Sequence, residues 1–185
     1  GMPGDPNGAF WANGRYHLMY LYNRRGTKAW GNAAFCWGHI SSADLVHWRH
    51  HADALLSGDG DGGCFSGGAF VDEDGTAYLT FWRLPLADGK TEGTGIGIAR
   101  SRDRNYDTWE KMPVPTLDGT EFGIRETRDS GGKAYPLCNA DPSNIWKKDG
   151  TYYLQTGNLL VLRKMEKSDD ASAQWKGDWV DLFRS

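Results

Sequence analysis

Residues 5–22, DPNGAFWANGRYHLMYLY, read as an apolar strand, a turn at Asn13-Gly14 and a second strand rich in tyrosine. Asn-Gly between apolar runs is a hairpin signal, because both central residues of a two-residue hairpin turn need positive φ. The pattern recurs as SGGAFVDEDGTAYLTFW at 66–82 and DPSNIWKKDGTYYLQTGN at 141–158, with turn pairs Asp74-Gly75 and Asp149-Gly150. Asp5, Ser66 and Asp141 each stand eight positions ahead of their turn pair, at the start of the first strand. Equivalent positions in an array of repeated sheets face a common axis, so Asp5 and Asp141 are candidates for one shared polar site.

A second repeat runs in step with the first. Ser42-Ala43-Asp44 leads to Trp48 and Ser101-Arg102-Asp103 leads to Trp109, each after an apolar run, FCWGHI and GIGIA. The two serines are 59 residues apart and the first two turn pairs 61. A unit of about 60 residues holding four short strands matches one blade of a β-propeller. The third interval, Asp74 to Asp149, is 75 residues, and its excess is assigned to the polar segment from Asp118 to Lys133, read as a surface loop. The final run, WVDLFRS, reads as a strand that stops at the serine where a third S-x-D segment would begin. The expected fold is all-β, with about three propeller blades over residues 1–185. Three blades leave strand edges bare, so the chain is expected to be part of a longer propeller. A self-contained β-sandwich is the alternative.

Composition narrows the function. The net charge of −3 comes from 21 basic and 24 acidic residues scattered along the chain, which excludes the electrostatic footprint of a nucleic-acid or anionic-membrane binder. No apolar run is long enough for a membrane-spanning helix. Nine tryptophans and eight tyrosines provide flat surfaces for stacking. Cys36, Cys64 and Cys138 form no CxxC pair and are read as small buried apolar residues. His17, His39, His47, His50 and His51 show no ligand spacing with a carboxylate partner, so no metal and no cofactor is expected.

Met2-Pro3-Gly4-Asp5-Pro6-Asn7-Gly8 resembles the W-M-N-D-P-N-G signature of glycoside hydrolase family 32, the invertase, inulinase and levanase family. Trp30-Gly31-Asn32 and the stretch from Trp37-Gly38-His39 to Leu45-Val46-His47-Trp48 resemble its WGN and WGHAxSxDLxHW segments. Gly63-Cys64-Phe65-Ser66-Gly67-Gly68 is similar to G-x-F-S-G-S, and Ala140-Asp141-Pro142 takes the place of R-D-P. The resemblance implies a five-bladed propeller, of which this chain covers about three blades, and retaining hydrolysis of a β-fructofuranoside or related furanoside. It implies Asp5 as nucleophile, Asp141 as transition-state stabiliser, and Trp30, Phe65 and Ser66 as the lining of a fructose pocket. The implied partner is a carbohydrate, and the resemblance favours a secreted or periplasmic protein over a cytoplasmic one.

Three departures fall on motif positions: Gly4 replaces an asparagine, Leu21 stands where an FYQ motif has glutamine, and Ala140 replaces an arginine. Each removes a hydrogen-bond donor suited to a sugar hydroxyl or a carboxylate. The family's general acid, the glutamate of an E-C-P motif, is expected beyond Ser185, because no E-C-P occurs within these residues. Two other functions compete with the fructosidase. One is an inverting, arabinanase-like propeller glycosidase, and the other is a carbohydrate-binding propeller that has lost catalysis.

Overall fold

A computed structural model describes residues 2–23, 35–58, 62–84, 96–112, 126–128, 134–136, 141–156, 161–166 and 176–181. Three four-stranded antiparallel meanders dominate it. The first joins β1 (Met2–Ala12), β2 (Arg15–Asn23), β3 (Phe35–Ser42) and β4 (Trp48–His50). The second joins β5 (Gly63–Val71), β6 (Ala77–Leu84), β7 (Ile96–Ser101) and β8 (Glu110–Lys111). A short hairpin, β9 (Glu126–Arg128) with β10 (Ala134–Pro136), precedes the third meander of β11 (Trp146–Lys148), β12 (Thr151–Thr156), β13 (Val161–Glu166) and β14 (Lys176–Asp181). These are three consecutive propeller blades, each with strands paired in chain order.

The hairpin turns follow their sequences with one exception. Asn13 and Gly14 take φ of 51° and 76°, Asp149 and Gly150 take 51° and 77°, and both pairs join directly registered partners, Ala12↔Arg15 and Lys148↔Thr151. Those are two-residue turns with both φ positive. In blade two, Val71 pairs with Ala77, so the loop is five residues and only Gly75 is left-handed, at 82°. Asp74 there uses its carboxylate instead, accepting Thr76 N–H at 2.9 Å, the local bonding that aspartate brings to turns.

Two other expectations change. The polar segment from Asp118 to Lys133 is not all loop, since β9 lies within it and pairs with β10. The run WVDLFRS holds the end of β14, the fourth strand of its blade rather than the third. The stretch between the third and fourth strands of blade three is therefore 167–175, which contains Ser168-Asp169-Asp170 and Trp175. The third S-x-D segment begins there and not at Ser185.

The core lies between blades one and two. Met19 and Leu21 of β2, Trp37 of β3, Leu79 and Phe81 of β6 and Ala99 of β7 form one buried cluster. A second cluster, including Tyr78, Ile98, Ile145 and Leu154, joins blade two to blade three. Cys36 and Cys64 are buried thiols within these layers; Cys138 lies outside the described residues.

Candidate active site

Strands β1 and β5 carry matching irregularities where the candidate residues sit. Pro3 pairs with Tyr22 and Pro6 with Tyr20, so Gly4 and Asp5 together oppose Leu21. Cys64 pairs with Arg83 and Gly67 with Phe81, so Phe65 and Ser66 together oppose Trp82. These are bulges, one extra residue on the inner strand of each blade, and a bulge re-aims the side chains it displaces. Asp5 and Ser66 thus occupy the same place in successive blades. They meet directly, with Ser66 Oγ donating to Asp5 Oδ2 at 2.8 Å.

Asp141 arrives differently. It lies in an irregular stretch ahead of β11, with φ of 45°, a left-handed conformation that aspartate tolerates better than most residues. Burial raises the pKa of its carboxyl, and the negative charge of Asp5 raises it further. Asp5 thus acts electrostatically on Asp141 although 136 positions separate them in the chain.

Phe65 directly precedes Ser66 in the same bulge. Its ring meets Phe35 edge-on at 4.7 Å and Trp82 edge-on at 5.4 Å, and its carbonyl accepts the Trp37 indole N–H at 3.0 Å. The indole nitrogen of Trp82 is buried with no hydrogen-bond partner among the described residues. Trp30 and Ala140 lie outside the described residues. Leu21 points into the core at 5% exposure, and a Cβ on Gly4 would make only ordinary contacts of 3.5–3.7 Å with Leu21. An apolar pair thus stands where the family motifs put two amides.

Sequence reasoning missed a histidine cluster. His17 Nδ1 and His39 Nε2 are 2.9 Å apart, and His51 stacks on His39 at 4.0 Å and 17°. His51 does have a carboxylate partner, Asp107 of the next blade, at 2.5 Å. Its other nitrogen lies 2.7 Å from Ser41 Oγ. Arg15 donates to the same oxygen at 2.8 Å, and because a carboxylate only accepts, His51 Nδ1 donates to Asp107.

That Asp–His–Ser order matches a hydrolase triad, but Ser41 is fully buried and its oxygen already receives Arg15, so no substrate carbonyl reaches it. The three rings bring nitrogens within 4.8 Å of one another. Ring lone pairs lie in the ring plane, and the near-parallel planes of His39 and His51 share no point within a bonding distance of about 2 Å from both. Contacts across 10 to 56 positions on four different strands and loops build this cluster, which is why spacing along the chain did not reveal it.

A family model described as Glycosyl hydrolases family 32 N-terminal domain matches residues 1–170. The chain is 38% identical over 177 residues to sucrose-6-phosphate hydrolase from Escherichia coli, covering 88% of this chain and 33% of that protein. It is 40% identical over 161 residues to raffinose invertase from the same organism, covering 85% and 30%. Among solved structures, fructan 1-exohydrolase IIa from Cichorium intybus superposes with a TM-score of 0.66 at 22% identity, covering 95% of this chain and 31% of that one. The chain spans about a third of the length of the curated relatives it matches. Its meanders are thus blades of the five-bladed β-propeller of these enzymes, and the chain belongs to the family 32 N-terminal domains of the glycosyl hydrolases.

Proposed function

We propose that the chain supplies two of the three carboxyl groups of a retaining glycoside hydrolase acting on β-fructofuranosides. The observation that carries this reading is Asp5, held by Ser66 at 2.8 Å, together with Asp141, whose carboxyl pKa is raised by burial and by the charge of Asp5. Asp5 attacks the anomeric carbon, the glycosidic C–O bond breaks, and the leaving oxygen takes a proton from a general acid supplied by residues other than these. Water then cleaves the glycosyl ester and restores the Asp5 carboxylate. The Ser66 bond fixes one Asp5 oxygen and leaves the other for attack.

Positive charge develops on the sugar ring in both transition states, and two adjacent carboxylates stabilise it. Asp141 accepts hydrogen bonds from the sugar hydroxyls, and Phe65 presents an apolar face to the C–H side of the ring. The similar proteins are named a sucrose-6-phosphate hydrolase, a raffinose invertase and a fructan 1-exohydrolase, and the fructose unit common to sucrose, raffinose and fructans supports a fructoside as the substrate here.

In the full-length protein, Asp5→Asn is expected to lower turnover of sucrose, inulin and levan by at least about 10³-fold, because it removes the attacking charge with little change of shape. Calorimetric binding of fructose is expected to survive. Unchanged turnover rejects Asp5 as nucleophile. A wild-type protein that binds fructose and turns over no fructoside favours the binding-propeller alternative, which the Gly4–Leu21 apolar pair supports.

A further inference from the structure

Both aspartate-bearing segments are tied to the same strand, β5 of blade two, by a side-chain amide just past the aspartate. Asn7, two residues after Asp5, accepts Gly67 N–H at 3.3 Å. Asn144, three residues after Asp141, accepts Ala69 N–H at 2.8 Å. Each bond gives a strand-edge N–H in one blade an acceptor from its neighbour, which a buried edge requires.

The Asn144 attachment is reinforced on all sides. Gly68 lies between the two tied amides, and a Cβ there would sit 2.3 Å from Asn144 Oδ1 and 2.4 Å from its backbone nitrogen. Only glycine admits so close an approach of blade three. Thr80 of β6 bridges the same junction, its hydroxyl accepting Gly68 N–H at 3.1 Å and donating to Ser143 O at 2.7 Å. Ser143 in turn donates its N–H to Gln155 O at 2.9 Å and accepts Gln155 N–H through Oγ at 3.0 Å. Buried Pro142, its φ fixed by the ring, connects this pinned pair to Asp141. A left-handed aspartate is strained and persists only where its surroundings over-determine it. The anchored segment from Pro142 to Asn144 provides that determination.

We infer that Asn144 is a positioning residue, which with Gly68 and Thr80 clamps the segment carrying Asp141 onto blade two and so sets its spacing from the Asp5–Ser66 pair. The inference rests on the reading of Asp5 and Asp141 as the fructoside site, but its first test is geometric. Crystal structures of the full-length wild type and Asn144→Ala are expected to show the Asp141 carboxyl displaced from Asp5 by about 1 Å or more with β5 unmoved. Asn144→Asp, which keeps an oxygen at the same reach for Ala69 N–H, is expected to restore the wild-type spacing.

In a wild type that turns over sucrose, the displacement is expected to lower kcat about 10- to 100-fold, the usual effect of misplacing a catalytic group by that amount, with KM changed less than kcat and Asn144→Asp recovering most of the loss. An Asp141 that stays in place in Asn144→Ala overturns the inference, as does an equal loss of kcat in the Ala and Asp variants. Should Asn144→Ala fail to fold, Thr80→Val removes the Ser143 bond at constant shape, and an unmoved Asp141 there overturns the inference as well. A wild type inert on every fructoside sinks the functional reading alone, because the structural comparison still decides the clamp.

Discussion

His17 and His39 share a single N–H between Nδ1 and Nε2, which leaves His17 Nε2 and His39 Nδ1 buried without a partner among the described residues. Burial lowers the pKa of His17 to about 4, aided by His51 and Arg15, while the Ala12 backbone and Asp107 oppose the shift. Burial likewise lowers His39 to about 3, aided by His51 and His17 and opposed by Asp107 and Asp103. Each folded pKa lies below the unfolded value of 6.5, so the unfolded chain binds protons first as pH falls. Their contribution to stability is complete above about pH 6.5 and is lost progressively toward pH 4. One such histidine gives a slope of up to about 1.4 kcal/mol per pH unit, and two give up to twice that. The urea midpoint of the full-length protein is expected to fall steeply from pH 6 to pH 4.5, and His17→Asn is expected to flatten that dependence. A wild-type midpoint constant over this range would show that the pair is not buried neutral. Asp5 and Asp141 stood out in the sequence because each opens a repeat, whereas the histidines left no local signal and meet only through the pairing of β2 with β3.

The S-x-D element repeats with its bonds intact. Ser42 Oγ accepts Leu45 N–H at 2.8 Å, Asp44 Oδ1 accepts Val46 N–H at 2.9 Å and His47 N–H at 2.7 Å, and the Trp48 indole donates to Leu45 O at 3.2 Å. In blade two, Asp103 accepts Asn105, Asp107 and Thr108 N–H at 2.9, 3.0 and 2.7 Å, and the Trp109 indole donates to Tyr106 O at 2.9 Å. Leu45 and Tyr106, each three residues before its tryptophan, are both left-handed, at 63° and 56°. Burial alone would raise the pKa of Asp103, but the Thr108 hydroxyl and the three amides outweigh it and hold the carboxyl well below the usual range. Asp103→Ala is expected to destabilise the protein by about 1–2 kcal/mol, the cost of three exposed or part-buried turn amides and one hydroxyl losing their shared acceptor. The urea midpoint reads this, and a loss under about 0.5 kcal/mol would reject the carboxylate as the organiser of the turn. This element was legible because its serine, aspartate and tryptophan are local. The third copy at Ser168 escaped notice, since its spacing from Ser101 is 67 residues and the extra β9–β10 hairpin stretches the repeat. The bulges at Gly4-Asp5 and Phe65-Ser66 escaped too, because a bulge is defined by what the partner strand opposes.

At the scale of the molecule, blade two is the hub. Asn7 and Asn144 reach it from either side, and the Tyr152 hydroxyl of blade three donates to its Asp72 at 2.9 Å. The blade count and the family were readable from four motif segments in order, because propeller repeats are local units. Contacts between blades were not, because they join residues from 28 to 91 positions apart through single side chains. The chemistry divides along the same line. The proposed nucleophile and stabiliser, Asp5 and Asp141, are both within these residues, but the proposed retaining mechanism also needs an acid, and no E-C-P motif occurs in the 185 residues. General acid catalysis is typically worth about 10²–10⁴-fold, and a leaving alkoxide without it departs unprotonated. A polypeptide of residues 1–185, purified as a monomer, is therefore expected to release no fructose from sucrose, while the full-length protein does. Its two outer blades would also present uncovered sheet faces and edges, so reduced solubility is expected alongside. Release of fructose by the 185-residue polypeptide, with contaminating invertase excluded through a parallel Asp5→Asn preparation, would place the acid within these residues and overturn the division of the site proposed above.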